Sequence, residues 1–343
     1  MFTPKYTVTN KLLGNIKRIA EIVTELNSRS FSSVVLVEMQ RRAREISAYS
    51  STSIEGNPLP LTDVKKILKN SPAHVRDSER EVLNYNQALV ELDDLIRKQD
   101  VVFNIDLLQR IQKTVTTGLI AKNRWGKIRQ EPVFVNDPRT GQTDYLPPEH
   151  AEVIPLLEEM FSFLRKNVKE IDPLILAGIF HKQFVVIHPF IDGNGRTARL
   201  ATKVLLAKMG LDTFNLFSFE NYYNQNVTRY FEEVGLRGNY YDLKDKIDFT
   251  AWLEYFTDGI IDELLRVKKE MEKETATPDE ALKEYHHKIL NYIQEKGFIT
   301  DREYSKLTKR ARPTRNLDFR KLIDLGLIIK VGKTKAAYYK FKQ

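Results

Sequence analysis

The sequence predicts a mainly α-helical protein with a small β-hairpin in its middle and a winged helix-turn-helix module in its tail. Three observations predict this. Apolar residues recur at helical spacing over most of the 343 residues. One stretch, KIRQEPVFVNDPRTGQTDYLPPEH at 127–150, breaks that rhythm with short β-prone runs around Asp137, Pro138, Thr140 and Gly141. The tail divides into three short helical segments followed by two β-prone runs about Gly332.

Residues 8–98 read as helices in succession. NKLLGNIKRIAEIVTELN carries one stripe through Leu12, Ile16, Ile19, Ile22 and Leu26. VVLVEMQRRAREISAYSSTSIEGN continues as helix toward Gly56, and LPLTDVKKILK offers Thr62 as a cap. EVLNYNQALVELDDLI is a further amphipathic segment. FNIDLLQRIQKTVTTGLI precedes the hairpin, and EVIPLLEEMFSFLRKNV follows it. DPLILAGIFHKQFVVIHPF is apolar nearly throughout, which predicts a helix buried on all sides. RTARLATKVLLAKMGL follows with Gly210 as its C-cap, then NYYNQNVTRYFEEV and DFTAWLEYFTDGIIDELLRVKKEMEKE. ETATPDE at 274–280 is a linker. Beyond it, Thr300 with Glu303 forms a capping-box pattern. The expected domains are an N-terminal helical region at 1–100, a core at 101–273 and the tail module at 281–343.

Composition narrows the chemistry. There is no cysteine, which excludes a disulfide framework, a thiol nucleophile and zinc sites with cysteine ligands. The N-terminus lacks the pattern of a signal peptide, and the longest apolar segment is interrupted at His181, Lys182 and Gln183. A cytoplasmic protein without membrane contact is expected. The net charge of +8 is uneven: residues 283–343 hold 16 Lys plus Arg against 6 Asp plus Glu, a net +10, so the remainder sums to −2.

The chemistry concentrates in HPFIDGNGRTAR at 188–199. Pro189 removes a backbone donor, and Gly193 and Gly195 permit a tight turn. The helix that begins near Asn194 presents free N–H groups, an anion-binding nest. Arg196 and Arg199 suit a bidentate clamp on phosphate oxygens, Asp192 a divalent cation, and His188 a general base. Together these fit phosphoanhydride chemistry on a nucleotide, although each element alone also suits a plain helix end and turn.

The twelve residues match in full the signature of the Fic/Doc family, His-Pro-Phe-x-Asp/Glu-Gly-Asn-Gly-Arg-x-x-Arg, and the chain resembles that family from about 101 to 235. The resemblance implies a Fic-type helical core with a β-hairpin flap. It implies a protein adenylyltransferase that moves AMP from ATP, with Mg2+, to a Ser, Thr or Tyr hydroxyl of a target protein or of itself. His188 is then the base that deprotonates the hydroxyl, Asp192 the magnesium ligand, and Gly193, Asn194 and Gly195 the cradle of the α-phosphate region. Arg196 binds the distal phosphates, Arg199 faces the γ-phosphate position, and Phe190 anchors the loop. The hairpin resembles the family's flap, with Gln130, Glu131, Pro132, Val133 and Phe134 as the edge that a target strand joins; without the motif it reads as an ordinary surface hairpin. Tyr222 and Tyr223 are candidates for the nucleotide pocket, with core packing as the alternative.

SSTSIEGN at 50–57 resembles the family's inhibitory-helix motif, Ser/Thr-x-x-x-Glu-Gly/Asn, in the subgroup where that helix precedes the core. Glu55 then pairs with Arg199 and competes with the γ-phosphate. Without the resemblance Glu55 is a solvated helix-end acid. Removal of AMP, with Glu55 activating a water, and another nucleotide donor are alternatives, and a homodimer is one way such proteins control the inhibitory helix.

In the tail, PTRNLDFRKLIDLG is the expected recognition helix, with Arg312, Arg315 and Arg320 nearby. Lys330, Lys333, Lys335 and Lys340 stand on the wing. This suits DNA, and winged helices also dock proteins, so a DNA-binding regulator stands beside the enzyme. YHHK at 285–288 reads as surface or packing residues, not metal ligands.

Overall fold

The computed structural model describes residues 2–28, 33–70, 74–98, 101–136, 143–211, 216, 218–276, 282–325, 327–332 and 337–342. They form two compact units. One comprises Met1–Leu26 with Ala43–Arg266, the other Asn27–Arg42 with Val267–Gln343. The segments expected as separate, 1–100 and 101–273, are thus joined for most of their length. The cause is packing: the buried stripe Val82, Tyr85, Leu89 and Leu92 lies on a helix covered by helices from the central block.

The chain runs α1 (Asn10–Ser28), α2 (Ser33–Ile54), α3 (Leu61–Asn70), α4 (Asp77–Arg97) and α5 (Ile105–Thr116), with the residues of α2 up to Arg42 counted in the second unit. After strands β1 (Val135–Asn136) and β2 (Thr143–Leu146) come α6 (Val153–Asn167), α7 (Pro173–Ile187), α8 (Asn194–Lys208), α9 (Phe219–Gln225) and α10 (Val227–Val234). Strand β3 (Gly238–Asn239), α11 (Tyr240–Leu243) and α12 (Thr250–Ala276) follow. Thr62 lies inside the first turn of α3, so it does not cap it. NYYNQNVTRYFEEV splits at Asn226, whose side chain accepts from Arg229 N and starts α10.

α7 is the axis of this unit. Asp172 caps it by accepting from Leu174 N at 2.8 Å, and Pro173 occupies the first turn, where its missing N–H is harmless. Nearly every side chain from Leu174 to Ile187 is buried, between α6 and α8. A fully buried Phe or Leu here contributes about 1.5–3 kcal/mol. Gly178 admits α12: a Cβ there would meet Leu253 Cδ2 at 2.5 Å, and Trp252 Nε1 donates to Gly178 O at 2.8 Å.

The hairpin is shorter than the sequence suggests. Among the described residues of the first arm, Val135 and Asn136 pair with β2, and Gln130 to Phe134, expected at the strand edge, precede the ladder as bends and irregular chain. Pro132 has no N–H to give, and Arg129 Nη1 engages the carbonyl of Glu131 at 3.3 Å. β2 pairs in parallel with β3, a contact 93 residues apart at Tyr145 and Gly238 that no local pattern announces.

The second unit includes α13 (Glu284–Lys296), β4 (Ile299–Thr300), α14 (Asp301–Leu307), α15 (Arg312–Asp324), β5 (Ile328–Val331) and β6 (Tyr338–Phe341). Its sheet is antiparallel in the order β4-β6-β5; β4 was not anticipated. Ile289, Leu290, Ile293, Tyr304, Phe319 and Leu322 form its core, and Phe319 stacks on Tyr339 at 3.9 Å. Thr300 and Glu303 cap α14 reciprocally. His286 is buried, as a packing residue would be. Lys333 and Lys335 lie outside the described residues.

Candidate active site

The loop between α7 and α8 is fastened from several sides. α7 ends on His188 in the left-handed region (φ 51°), alone in this among the described non-glycine residues. Gly193 (φ 80°) precedes α8, and a Cβ there would sit 2.8 Å from Thr116 Cγ2 of α5. Asn194 staples the loop: its Oδ1 accepts from Phe190 N at 2.9 Å and its Nδ2 donates to Phe190 O at 2.8 Å. That corrects the expectation for its side chain, which is engaged within the loop and leaves only the backbone of Asn194 to face a phosphate. Gln112 of α5 donates to Asp192 O at 3.1 Å and accepts from Gly126 N at 2.6 Å.

Arg129 is the fastening that sequence reasoning missed. Its guanidinium is buried and bonds only carbonyls: Nε donates to His188 O at 2.8 Å, Nη1 to Glu131 O, and Nη2 to Pro148 O and Ile187 O. Its own N–H donates to Pro189 O at 3.0 Å. These bonds collect the carbonyls left unpaired at the end of α7. Burial holds its pKa below the ordinary arginine value, partly offset by Glu149. Tyr145 of β2 adds a bond from its hydroxyl to Val186 O at 3.0 Å.

His188 is therefore oriented by its backbone. Its Nδ1 lies 3.3 Å from Val185 O. A carbonyl can only accept, so this contact places the proton on Nδ1 and the lone pair on Nε2. Burial pushes the imidazole pKa down to about 4; the Val185 carbonyl opposes this and the Arg129 charge adds to it. At neutral pH His188 is an uncharged base.

The first turns of α8 hold the arginines. Arg196 is buried between two carboxylates, Glu81 Oε1 of α4 at 2.7 Å and Asp192 Oδ1 at 3.0 Å. Its Nε is buried without a hydrogen-bond partner among the described residues. Glu81 in turn accepts from Asn57 Nδ2 at 2.7 Å. Burial raises its pKa, against the pull of Arg196. The Asp192 side chain is 44% exposed and its Oδ1 also accepts from Gly193 N at 2.6 Å.

Arg199 has no exposed surface. Its Nε donates to Ser51 Oγ at 2.8 Å, and Nη2 donates to Ser51 O at 2.9 Å and to Glu55 Oε1 at 2.7 Å. Nη1 reaches Tyr230 OH at 3.4 Å. Burial opposes its charge, but Glu55, Tyr230 and Tyr85 outweigh that and raise its pKa. The end of α2 thus lies against α8, and Glu55 meets Arg199 as the sequence motif suggested. A Cβ on Gly195 would stand 2.2 Å from Glu55 Oε1. The carboxylate occupies the space at the N-terminus of α8 that an anion would take.

The tyrosines divide differently. Tyr223 is fully buried, stacked on Tyr230 at 4.6 Å and on Tyr255 at 5.8 Å. It is core, which corrects its assignment to a nucleotide pocket. Tyr222 packs against Tyr255 and against Gly259, where a Cβ would meet its ring at 2.7 Å. Tyr230 is the aromatic residue that reaches the site. Its hydroxyl lies between Arg199 and His181 Nε2, the latter at 3.2 Å.

The helical fold and this loop were compared with known proteins. Residues 102–206 match the pattern of the Fic/DOC family. The chain is 31% identical over 183 residues to protein adenylyltransferase fic-1 of Caenorhabditis briggsae, covering 52% of this chain and 34% of that protein. It is 28% identical over 221 residues to protein adenylyltransferase Fic of Aedes aegypti, covering 59% and 42%. The matched region thus spans less than half of those relatives. In fold, the chain resembles a Fic family protein from Desulfovibrio desulfuricans G20 with TM-score 0.66 at 19% identity, covering 99% of this chain and 98% of that one. Fic-1 of C. elegans gives TM-score 0.61 at 22% identity, over 77% and 73%. No helix among the described residues is long and apolar enough to cross a membrane.

Proposed function

We propose that the protein transfers AMP from ATP to a hydroxyl of a target protein, or of itself, and that Glu55 restrains the transfer. The observation that carries this reading is the conjunction at the N-terminus of α8: an uncharged His188, and a buried Arg199 whose only acidic partner among the described residues is Glu55. The residues suit a magnesium nucleotide. Gly195, lacking a Cβ, admits an acceptor oxygen (now Glu55 Oε1) at the start of α8, Arg196 Nε is buried and unpartnered among the described residues, and Asp192 offers a half-exposed carboxylate.

In this reading Nε2 of His188 takes the proton of a Ser, Thr or Tyr hydroxyl. The hydroxyl oxygen bonds the α-phosphorus as the bond to pyrophosphate breaks. The N–H groups of α8 and Arg196 hold the phosphates, and Arg199 holds the γ-phosphate once Glu55 yields it. Magnesium held by Asp192 would neutralise phosphate charge. The target chain lies along Gln130–Phe134, where Phe134 is 62% exposed. The Glu55 carboxylate and the γ-phosphate compete for one guanidinium, so ATP binds to the restrained enzyme in an unproductive pose.

The test is incubation with α-labelled ATP and magnesium. Glu55→Gly is expected to acquire label, wild type less, and His188→Ala none. Glu55→Gly that binds ATP and stays unlabelled would sink AMP transfer. Equal labelling of wild type and Glu55→Gly would sink the restraint. Repeating the assay with other labelled nucleotides, and with pre-labelled Glu55→Gly given to wild type, reads donor choice and AMP removal.

A further inference from the structure

The second unit carries a surface that the proposed reaction does not use. We propose that α15 enters the major groove of duplex DNA, with Asn316 and Arg320 reading base edges and a basic rim from α14 to the start of α15 holding phosphates.

The argument rests on which charges the fold consumes and which it leaves outside. Arg310 is turned inward, donating to both oxygens of buried Asp318 at 2.8 and 3.0 Å. Its guanidinium also lies 3.6 Å from the centre of the Tyr285 ring. Arg315 is likewise held, donating to both oxygens of Asp301 at 2.8 and 3.0 Å. Neither is available to a partner, although the sequence placed Arg315 among the readers. The acids Asp301, Glu303 and Asp318 are all engaged by these arginines or by the cap of α14. Arg302, Lys306, Lys309, Arg312 and Arg320 are exposed. Internal pairing thus takes up Asp301, Glu303 and Asp318, with Arg312 also 3.7 Å from Asp301, and leaves the basic groups exposed; Asp324, one step beyond Arg320, is an exposed acid at the far end of α15.

The outward side of α15 also has the residue types for reading DNA. Arg312, Asn316 and Arg320 follow at steps of four, so they share one face of the helix. All three are exposed, and no ion pair of Arg320 occurs among the described residues. Asn suits the adenine edge and Arg the guanine edge. Leu317, 62% exposed, lies beside them, and an apolar side chain there suits a thymine methyl. The N-terminal half of α15 carries most of these groups, the end that a recognition helix presents to bases. Behind it, Phe319 and Leu322 fix the helix on the core, so the reading face is held rigid.

The experiment uses the full chain and a fluorescent pool of duplexes with a randomised centre, read by anisotropy across a salt series and followed by selection. Four phosphate contacts predict that log K falls with log salt at a slope of about −3 to −4. Lys306→Ala/Lys309→Ala reduces that slope by about 2 units and weakens all sequences alike. Arg320→Ala weakens a selected sequence about 10-fold and relaxes preference at one position. Arg320 has no ion pair to lose among the described residues, so its variant keeps the wild-type melting temperature, which separates lost contact from lost fold. No duplex binding at up to about 100 µM protein in low salt overturns the proposal. Equal binding of a single-stranded pool, or binding that all these variants leave unchanged, overturns it too; a surface that docks protein instead gives the first of these results. None of these readings depends on nucleotide transfer, so the DNA proposal and the enzymatic one fail separately.

Discussion

Replacing Glu55 by glycine should destabilise the free protein and, by the same amount, strengthen its response to ATP. Arg199 is fully buried, and its bond from Nη2 to Glu55 is its one bond to a carboxylate among the described residues. Three further bonds, two to Ser51 and one to Tyr230, remain when the carboxylate goes. Removing one partner of a buried pair costs 3–5 kcal/mol when nothing else supports the survivor, and those bonds together with the part-exposed Glu55 bring this to about 2–3 kcal/mol. For a unit of this size that lowers Tm by about 5–10 °C. Glu55→Gln keeps an oxygen for Nη2 to bond and loses only the charge, so about 1 kcal/mol is expected. Saturating ATP supplies the missing anion, and the three melting temperatures should converge. The assay is thermal unfolding of wild type and both variants with and without magnesium ATP. A glycine variant that melts with wild type in the absence of nucleotide, or gains no more from ATP than wild type does, would refute a competition at Arg199.

Two further predictions follow from the same geometry. The His188 pKa of about 4 lies below the ordinary imidazole value, so the base form persists as pH falls through 6.5 and is lost only on approach to 4. Glu55 is among the charges that raise this pKa, so in Glu55→Gly the acid limb of kcat/KM should lie at or below about pH 4, and a limb near 6.5 would show an unperturbed imidazole. Arg129→Lys replaces a planar fork by one ammonium, which cannot reach the carbonyls of Glu131, Pro148, Ile187 and His188 together. Two carbonyls left unpaired cost about 2–4 kcal/mol. Turnover should fall at least about 10-fold through a misplaced His188, with ATP affinity retained, because no Arg129 bond reaches α8. A loss of ATP affinity equal to the loss of turnover would argue against a role in positioning His188.

The parts legible in the sequence are those whose chemistry is contiguous. His188, Asp192, Gly193, Gly195, Arg196 and Arg199 sit within twelve residues, and the helix spacing that brings them together is local. Glu55 was legible because its six-residue motif is local as well. The partners that fix these groups are not. Glu81 meets Arg196 from 115 positions upstream, and Gln112 meets Asp192 from 80. Arg129 bonds only carbonyls, which every residue carries, so no residue pattern marks it. The tyrosines show the limit of periodicity. Tyr223 and Tyr230 share one aromatic cluster, and only the orientation of the hydroxyls separates core from site. In the second unit the sequence counted basic residues correctly, yet it could not tell that Arg310 and Arg315 face inward.

The proposed restraint by Glu55 would act on the nucleotide and leave the loop between α7 and α8 alone. Asn194, Gln112, Arg129 and the fit of Gly193 against Thr116 hold that loop, and none of them belongs to α2. Glu55 touches the site at two places, the Arg199 guanidinium and the space above Gly195. Two routes could free them. Lifting α2 would break the bonds of Ser51 to Arg199 and of Ser47 to Lys203 and to buried Glu220. Those bonds involve charged groups, Arg199 and Glu220 without exposed surface and Lys203 17% exposed, at about 1.5–3 kcal/mol each. Turning the Glu55 side chain breaks one such bond, and the residue stands just beyond the last turn of α2, before Gly56 at φ 92°. The side-chain route is cheaper by several bonds, so relief of the proposed restraint would need only a contact that outcompetes Arg199 for one carboxylate, with α2 in place throughout.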